Sequence, residues 1–357
     1  MRSLTSFSRI SRSAPQTTTC LSSRSSSSWL IGNTSCTSSR PILAPLSAGA
    51  RGTLLSSDAR TQRWRSSEGS PVTDPAPFPQ HQPASHFILH ISDTHFVSDG
   101  ELLFGTVDSE ANLRRLFAEF ARSGARPDAI VFTGDIADAG DEAAYRRIRA
   151  VVDPAAAEIG SRVIWVMGNH DVRAPFRRLL LDSDAGAESV DAVTDVNGLR
   201  IITLDSTVPG HHHGEISDAQ YVWLADTLAD PAPHGTLIAL HHPPVPSLLE
   251  PLELVELRDQ QRFADAIAGT DVRAVLGGHL HYNTFSTIAG IPVSVASATC
   301  YTQDLNVPFG HLRGRDGAQG FNLVHLYGDR VLHTVVPIGE TPAVDELTTA
   351  QLRSWLA

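Results

Sequence analysis

The stretch on which the fold turns is "VLGGHLHYNT", Val275–Thr284, where an apolar run ends in two glycines and two histidines one residue apart. Read as a strand end, it puts side chains at i and i+2 on the same side. His279 and His281 are therefore expected to converge on one small volume. The glycines in front of them let another group approach the backbone. One buried histidine is ordinary; two aimed together need a third party.

The same punctuation recurs along the chain. "FILHI", "AIVFT", "RVIWVM", "RIITL", "TLIAL" and "RAVL" are short runs of Val, Ile, Leu and Phe, the signature of strands buried on both faces. Helical patterns lie between them. "DSEANLRRLFAEFARSG" offers an N-cap at Asp108 or Ser109, an apolar face of Leu113, Leu116, Phe117 and Phe120, and a stop at Gly124. "DEAAYRRIRAVVD", "SDAQYVWLADTLAD" and "RDQQRFADAIAG" behave alike, and "FNLVHLYGDRVLHTVV" reads as a hairpin turned at Gly328-Asp329. Alternating strands and helices followed by antiparallel strands predict one α/β domain with mixed sheets.

Five of the six runs end in ligand-type residues: Asp93-Thr94-His95, Asp135, Asn169-His170-Asp171, His241-His242 and His279-Leu280-His281. In open α/β sheets the ligand site lies beyond the carboxyl ends of the strands. A mixture of carboxylates, a carboxamide and four or more imidazoles suits Mn, Fe, Zn, Ni or Co better than Ca or Mg.

Composition narrows the partners. The 357 residues are 41% hydrophobic and 19% charged, as in a soluble globular protein, and no apolar run is long enough to cross a bilayer. Every one of the 28 basic residues is arginine. Nine lie between Arg2 and Arg65 against the single acid Asp58, so beyond Ser67 nineteen arginines face thirty-eight acids. A body that acidic is a poor binder of nucleic acid polymers; if it handles phosphate, bound cations must supply the positive charge. Cys20, Cys36 and Cys300 are too scattered for a metal knuckle and odd in number, which fits a reducing compartment.

Residues 1–85 are Ser- and Arg-rich, then Pro-rich, with no periodicity that builds a core. An acid-poor segment of this kind resembles an organelle transit peptide. The absence of lysine points to a GC-rich bacterial genome and favours the other reading, a disordered or mis-started lead.

The ordered set D-x-H, G-D, G-N-H-D, H and G-H-x-H resembles the calcineurin-like metallophosphoesterases over residues 87 to 337. "HISDTH", "VIWVMGNHD", "LDSTVPGHHHGEI", "HHPPVP", "LGGHLHY" and "ATCYTQDL" are similar to the bacterial class III cyclic-nucleotide phosphodiesterases. The resemblance implies a four-layer α/β/β/α sandwich of two mixed sheets over residues 86–340, followed by a tail, 341–357, with a short helix. It implies two metal ions, iron and manganese expected, with zinc, nickel or cobalt as alternatives. Asp93, His95 and His281 would bind the first, Asn169, His241 and His279 the second, and Asp135 both. Two ions about 3.5–4 Å apart would lower the pKa of a bound water to about 7 and supply the attacking hydroxide. His170 would protonate or stabilise the leaving oxygen, and Asp171 would orient it.

Departures from sister families sharpen the substrate. Protein phosphatases of this fold carry G-D-x-x-D-R-G, whose arginine clamps a dianionic monoester; here "GDIADAG" has Ala139 in that place. Purple acid phosphatases place a tyrosine ligand where Asp138 stands. A small monoanionic phosphodiester, above all a cyclic nucleotide, is the expected substrate. Glycerophosphodiesters or nucleotide-sugar pyrophosphates are the alternative within enzymes, and a metal-bound scaffold the alternative outside them. His211, His212 and His213 are expected outside the metal-binding set, Arg313 and Arg315 on the surface, and Cys300 buried. Asp138 stands open between a supporting role and a helix cap. The resemblance also implies a cytoplasmic protein, peripheral to the envelope at most, and a homodimer. The C-terminal "TTAQLRSWLA", with a capping box at Thr348 and Gln351, is expected to dock on the body; contact with a second subunit or the envelope is the alternative.

Overall fold

A computed structural model describes residues 81–98, 101–339 and 341–356. The low-complexity segment expected over 1–85 lies almost wholly outside the described residues.

All six apolar runs form strands. They are β1 (His86–Ile91), β2 (Ala129–Thr133), β3 (Arg162–Val166), β5 (Leu199–Leu204), β6 (Thr236–Leu240) and β7 (Val272–Gly277). The sequence reading missed β4 (Ala192–Val196), β8 (Thr284–Ile288), β9 (Ile291–Val295), β10 (Thr302–Gln303) and β11 (Gly314–Arg315). The final hairpin is β12 (Gly320–Leu326) and β13 (Val331–Pro337), closed by Tyr327 N–H donating to the Arg330 carbonyl at 2.8 Å. Helices α1 (Ser109–Arg122), α2 (Glu142–Ile159) and α3 (Arg173–Leu180) belong to the first half, and α4 (Asp218–Leu228), α5 (Glu250–Glu253) and α6 (Gln260–Ile267) to the second. A last helix, α7, spans Thr349–Leu356.

The strands make two mixed sheets, in the order β13-β12-β1-β2-β3 and β4-β5-β6-β7-β9-β8. Alternation along each strand explains why both faces are apolar. In β1 and β2, Leu89, Ile91, Ile130 and Phe132 pack toward α1 and α2, while Ile88, Ala129 and Val131 face the other sheet. In β6, Ile238 and Leu240 pack with Leu224 of α4 and Phe263 of α6, while Leu237 and Ala239 meet the first sheet. A strand buried on both faces gains burial free energy at every residue, on the order of 1.5–3 kcal/mol for each large apolar side chain. The result is the α/β/β/α sandwich.

Helix α1 starts at Asp108, whose carboxylate accepts from Ala111 N–H, and buries Leu113, Leu116, Phe117 and Phe120 as its pattern predicts. The capping box of α7 forms, with Thr348 and Gln351 bonded reciprocally. Its docking does not: Leu352 and Trp355 are 40% and 79% exposed. Among the described residues no helix is long and apolar enough to cross a membrane.

Candidate metal centre

The loops leaving β1, β2, β3, β6 and β7 meet at one edge of the sandwich. His279 and His281 do converge there, though by a different route from strand alternation. Strand β7 stops at Gly277, and both histidines take left-handed backbone, φ 71° and 54°. Asp93, His95 and Asp135 share that conformation at φ 51°, 41° and 49°. Such backbone costs a non-glycine residue on the order of 1–3 kcal/mol, and its concentration in one place marks a site where function sets the geometry. The glycines are explained by the same crowding. A Cβ on Gly278 would lie 1.9 Å from Ser92 Oγ and 2.7 Å from Asp93 Oδ2, and one on Gly168 would lie 2.1 Å from Asp135 N. What approaches the backbone is the neighbouring loop that carries an aspartate.

Two clusters result. In the first, His95 Nε2 and His281 Nε2 are 3.2 Å apart, Asp93 Oδ1 is 3.3 Å from His281 Nε2, and Asp135 Oδ2 is 3.4 Å from His95 Nε2. In the second, His241 Nε2 lies 3.1 Å from Asn169 Oδ1, 3.2 Å from His279 Nδ1 and 3.2 Å from the same Asp135 Oδ2. One aspartate oxygen thus stands between the two groups.

The outer nitrogens decide what the inner ones are. His95 Nδ1 meets Asp138 Oδ1 at 2.9 Å, His281 Nδ1 the Tyr301 carbonyl at 2.9 Å, His241 Nδ1 the Thr133 carbonyl at 2.8 Å, and His279 Nε2 the Val255 carbonyl at 2.9 Å. Each partner only accepts, so each outer nitrogen donates and each neutral ring turns a lone pair inward. Lone pairs and carboxylate oxygens at 3.1–3.4 Å repel unless a cation lies between them. The donor set therefore fits two cations of the transition series.

Without a cation the cluster must share protons. Burial works against charge on His95, but the hydrogen bonds its ring donates to Asp135 and Asp138 outweigh it and raise the ring to about 10. Burial likewise opposes charge on His241, and Asp135 raises it to about 9. His279 goes the other way, pushed down to about 3 by burial and by His241. Asp93, which burial alone would raise, is drawn to about 2 by His281.

The remaining expectations divide. His170 sits at the mouth, its N–H bonded to Asp135 Oδ1 at 2.8 Å and its Nδ1 donating to the Asp138 carbonyl at 2.7 Å. Asp171 does not orient it. The Asp171 carboxylate points inward and accepts from the amides of Ile136, Ala137 and Gly168 and from the Tyr145 hydroxyl, at 2.9–3.1 Å. Burial and nearby Asp135 push it up to about 6 against those donors. It ties the β3 loop to the β2 loop. Asp138 takes the supporting place, since the N-cap of α2 is Asp141. His242 is consumed by Ser206 Oγ at 2.8 Å and the His212 carbonyl at 3.1 Å. His212 leans over the edge, its Nδ1 3.1 Å from Asn169 Nδ2. Arg313 and Arg315 pair with Asp304, and Cys300 is fully buried, with burial holding its thiol well above the ordinary range. The sequence reading did not single out Tyr301, whose ring packs on His281 at 4.4 Å between centroids. No local signal announces it, because the contact joins a loop to a residue 20 positions away.

A two-sheet sandwich with paired acid–imidazole clusters at its strand ends defines a metallophosphoesterase architecture. The chain belongs to the calcineurin-like phosphoesterase family, whose model matches residues 88–283. It is 59% identical over 261 residues to a probable cyclic nucleotide phosphodiesterase of Rhodococcus erythropolis, covering 73% of this chain and 86% of that one. It is 56% identical over 260 residues to a cAMP/cGMP dual specificity phosphodiesterase of Mycobacterium tuberculosis, covering 73% and 82%. Among solved structures, a dimetal phosphatase from Danio rerio superposes with a TM-score of 0.51 at 17% identity, over 72% of this chain and 98% of that one, and shares the fold.

Proposed function

We propose that this protein opens the phosphodiester ring of cyclic nucleotides at a two-metal centre. Asp93, His95 and His281 would hold one ion and Asn169, His241 and His279 the other, with Asp135 placed to serve both groups. The observation that carries this reading is the convergence of four inward lone pairs on Asp93 and Asp135 with every outer nitrogen already donating. The names of the two bacterial relatives support the substrate class.

Iron and manganese are the ions we assign, with zinc, nickel and cobalt compatible with the same donors. Bound there, the ions neutralise the diester and make hydroxide available near neutral pH. The chain supplies the rest. The loop carbonyls and Asp138 lock the four rings in one tautomer. His170, held through Nδ1 by the Asp138 carbonyl, presents Nε2 to the leaving alkoxide and gives it a proton. A reducing, cytoplasmic setting belongs to this reading, supported by the free thiol of Cys300.

The test is initial rates on 3′,5′-cyclic AMP, 2′,3′-cyclic AMP and glycerophosphocholine, using chelator-stripped protein with and without Mn²⁺. Metal-dependent turnover of a cyclic nucleotide is expected, and the faster isomer gives the ring preference. Turnover of the acyclic diester alone overturns the substrate class. No turnover with metal bound overturns the enzyme reading.

A further inference from the structure

A cavity of about 440 Å³ opens beside the first cluster, between the loop of Phe104 and the short ladder of β10 and β11. Its inner wall is Tyr301, wedged against His281, and Phe104 meets Tyr301 edge-to-face at 5.3 Å. The Phe104 ring is 72% exposed. Gly314 lets the ladder lie against the tyrosine, since a Cβ there would come within 2.9 Å of Tyr301 Cδ2.

Two polar readers line the same cavity. The Gln303 side-chain carbonyl oxygen is shielded from solvent and has no hydrogen-bond partner among the described residues. A buried polar atom left unpaired costs about 1–3 kcal/mol, so an unpaired amide in a cavity wall is matched by a ligand that pairs it. Arg315 is half exposed and stands 3.7 Å from Asp304, whose carboxylate is already held by Arg313 at 2.8 and 2.5 Å. Its guanidinium is available to a further acceptor.

Resting on the cyclic-nucleotide reading, we propose that this cavity seats the purine base. The base packs on Phe104 and Tyr301, one sugar ring out from the metal cluster. Gln303 reads the amine edge of adenine and Arg315 the carbonyl edge of guanine, the pairings that planar amides and guanidinium groups make bidentately with these bases. A second cavity of about 400 Å³, beside Asn169, is the rival. Its one arginine, Arg173, is already committed to Asp205, Ala187 and Thr207, so that cavity offers a base no free guanidinium.

The experiment compares Mn²⁺-loaded wild type, Gln303→Leu, Gln303→Met and Arg315→Leu on the 3′,5′-cyclic forms of AMP, GMP and CMP. We expect Gln303→Leu and Gln303→Met to raise KM for cyclic AMP about tenfold or more, and Arg315→Leu to do so for cyclic GMP. Cyclic CMP should move less than about threefold in each. An equal loss on all three substrates, or none, overturns the assignment. If wild type turns over no cyclic nucleotide, the proposed activity fails by itself. Calorimetric binding of AMP, GMP and CMP then decides the cavity: the same base-dependent losses sustain it, and their absence rejects it.

Discussion

His95 Nε2 and His281 Nε2 face each other across 3.2 Å while the far nitrogen of each ring donates to an acceptor. Two neutral imidazoles in that arrangement repel, so the folded chain holds either a proton or a cation between them. This makes metal and proton competitors for one place.

A pH signature follows. His95 is raised from 6.5 to about 10. A raised imidazole stabilises the folded, metal-free protein fully below pH 6.5, and that contribution is lost as pH climbs through about 10. With metal in place the ring is already neutral and the slope disappears. Chelator-stripped protein should therefore melt at a falling temperature between pH 7 and about 9.5, and loaded protein should not. Manganese at a hundred times its Kd should add about 2.7 kcal/mol per site, roughly 5–10 °C in Tm. Identical melting curves with and without metal would show that these histidines do not hold it.

Asp138→Asn removes the charge behind His95 while keeping its shape. An asparagine oxygen still accepts from His95 Nδ1 but no longer raises the ring's basicity, and such supporting partners change metal affinity or activity about 10–100-fold. The expected result is weaker Mn²⁺ binding by calorimetry, about one site's worth, with circular dichroism unchanged. Full affinity for both ions would mean that Asp138 acts only on His170.

The parallel strands were legible because a strand buried on both faces leaves an unbroken apolar run, and the ligand edge was legible because acids and imidazoles follow those runs. Other features were not. β4, "AVTDV", is a largely exposed edge strand whose composition looks like loop, and β9 carries Pro292, which argues against a central strand. The exchange of roles between Asp138 and Asp171 was hidden for a different reason. Sequence order places Asp171 beside His170, yet the amides that donate to its carboxylate lie on Ile136 and Ala137, 35 and 34 positions away. Adjacency in the chain said nothing of direction, because the turn after Asn169 sends the two side chains opposite ways. Positive φ at five ligand positions was equally invisible, since aspartate and histidine give no local sign of it.

Gly278→Ala tests whether that crowding is needed. The added methyl would fall within 1.9 Å of Ser92 Oγ and 2.7 Å of Asp93 Oδ2, so the Asp93 loop must move. Overpacking of this kind costs about 1–3 kcal/mol. We expect a moderate fall in Tm and loss of one bound metal, counted by elemental analysis, because Asp93 serves only the first cluster. Retention of both ions would show that Asp93 is not a ligand.

His170→Ala separates proton donation from metal holding. His170 lies outside the two proposed ligand sets, and its backbone amide, which bonds Asp135 Oδ1 at 2.8 Å, survives the substitution. Metal content should therefore stay at two, while turnover of a cyclic nucleotide falls by about 10²–10⁴ through kcat. A p-nitrophenyl diester needs far less help, because its leaving phenolate is stable without a proton. The same variant should lose about tenfold or less on that substrate. The ratio between the two losses is the informative quantity. Equal losses would assign His170 to holding the phosphate, and no loss on either would move the proton donor to His212, which stands 5.6 Å away ring to ring over the same edge.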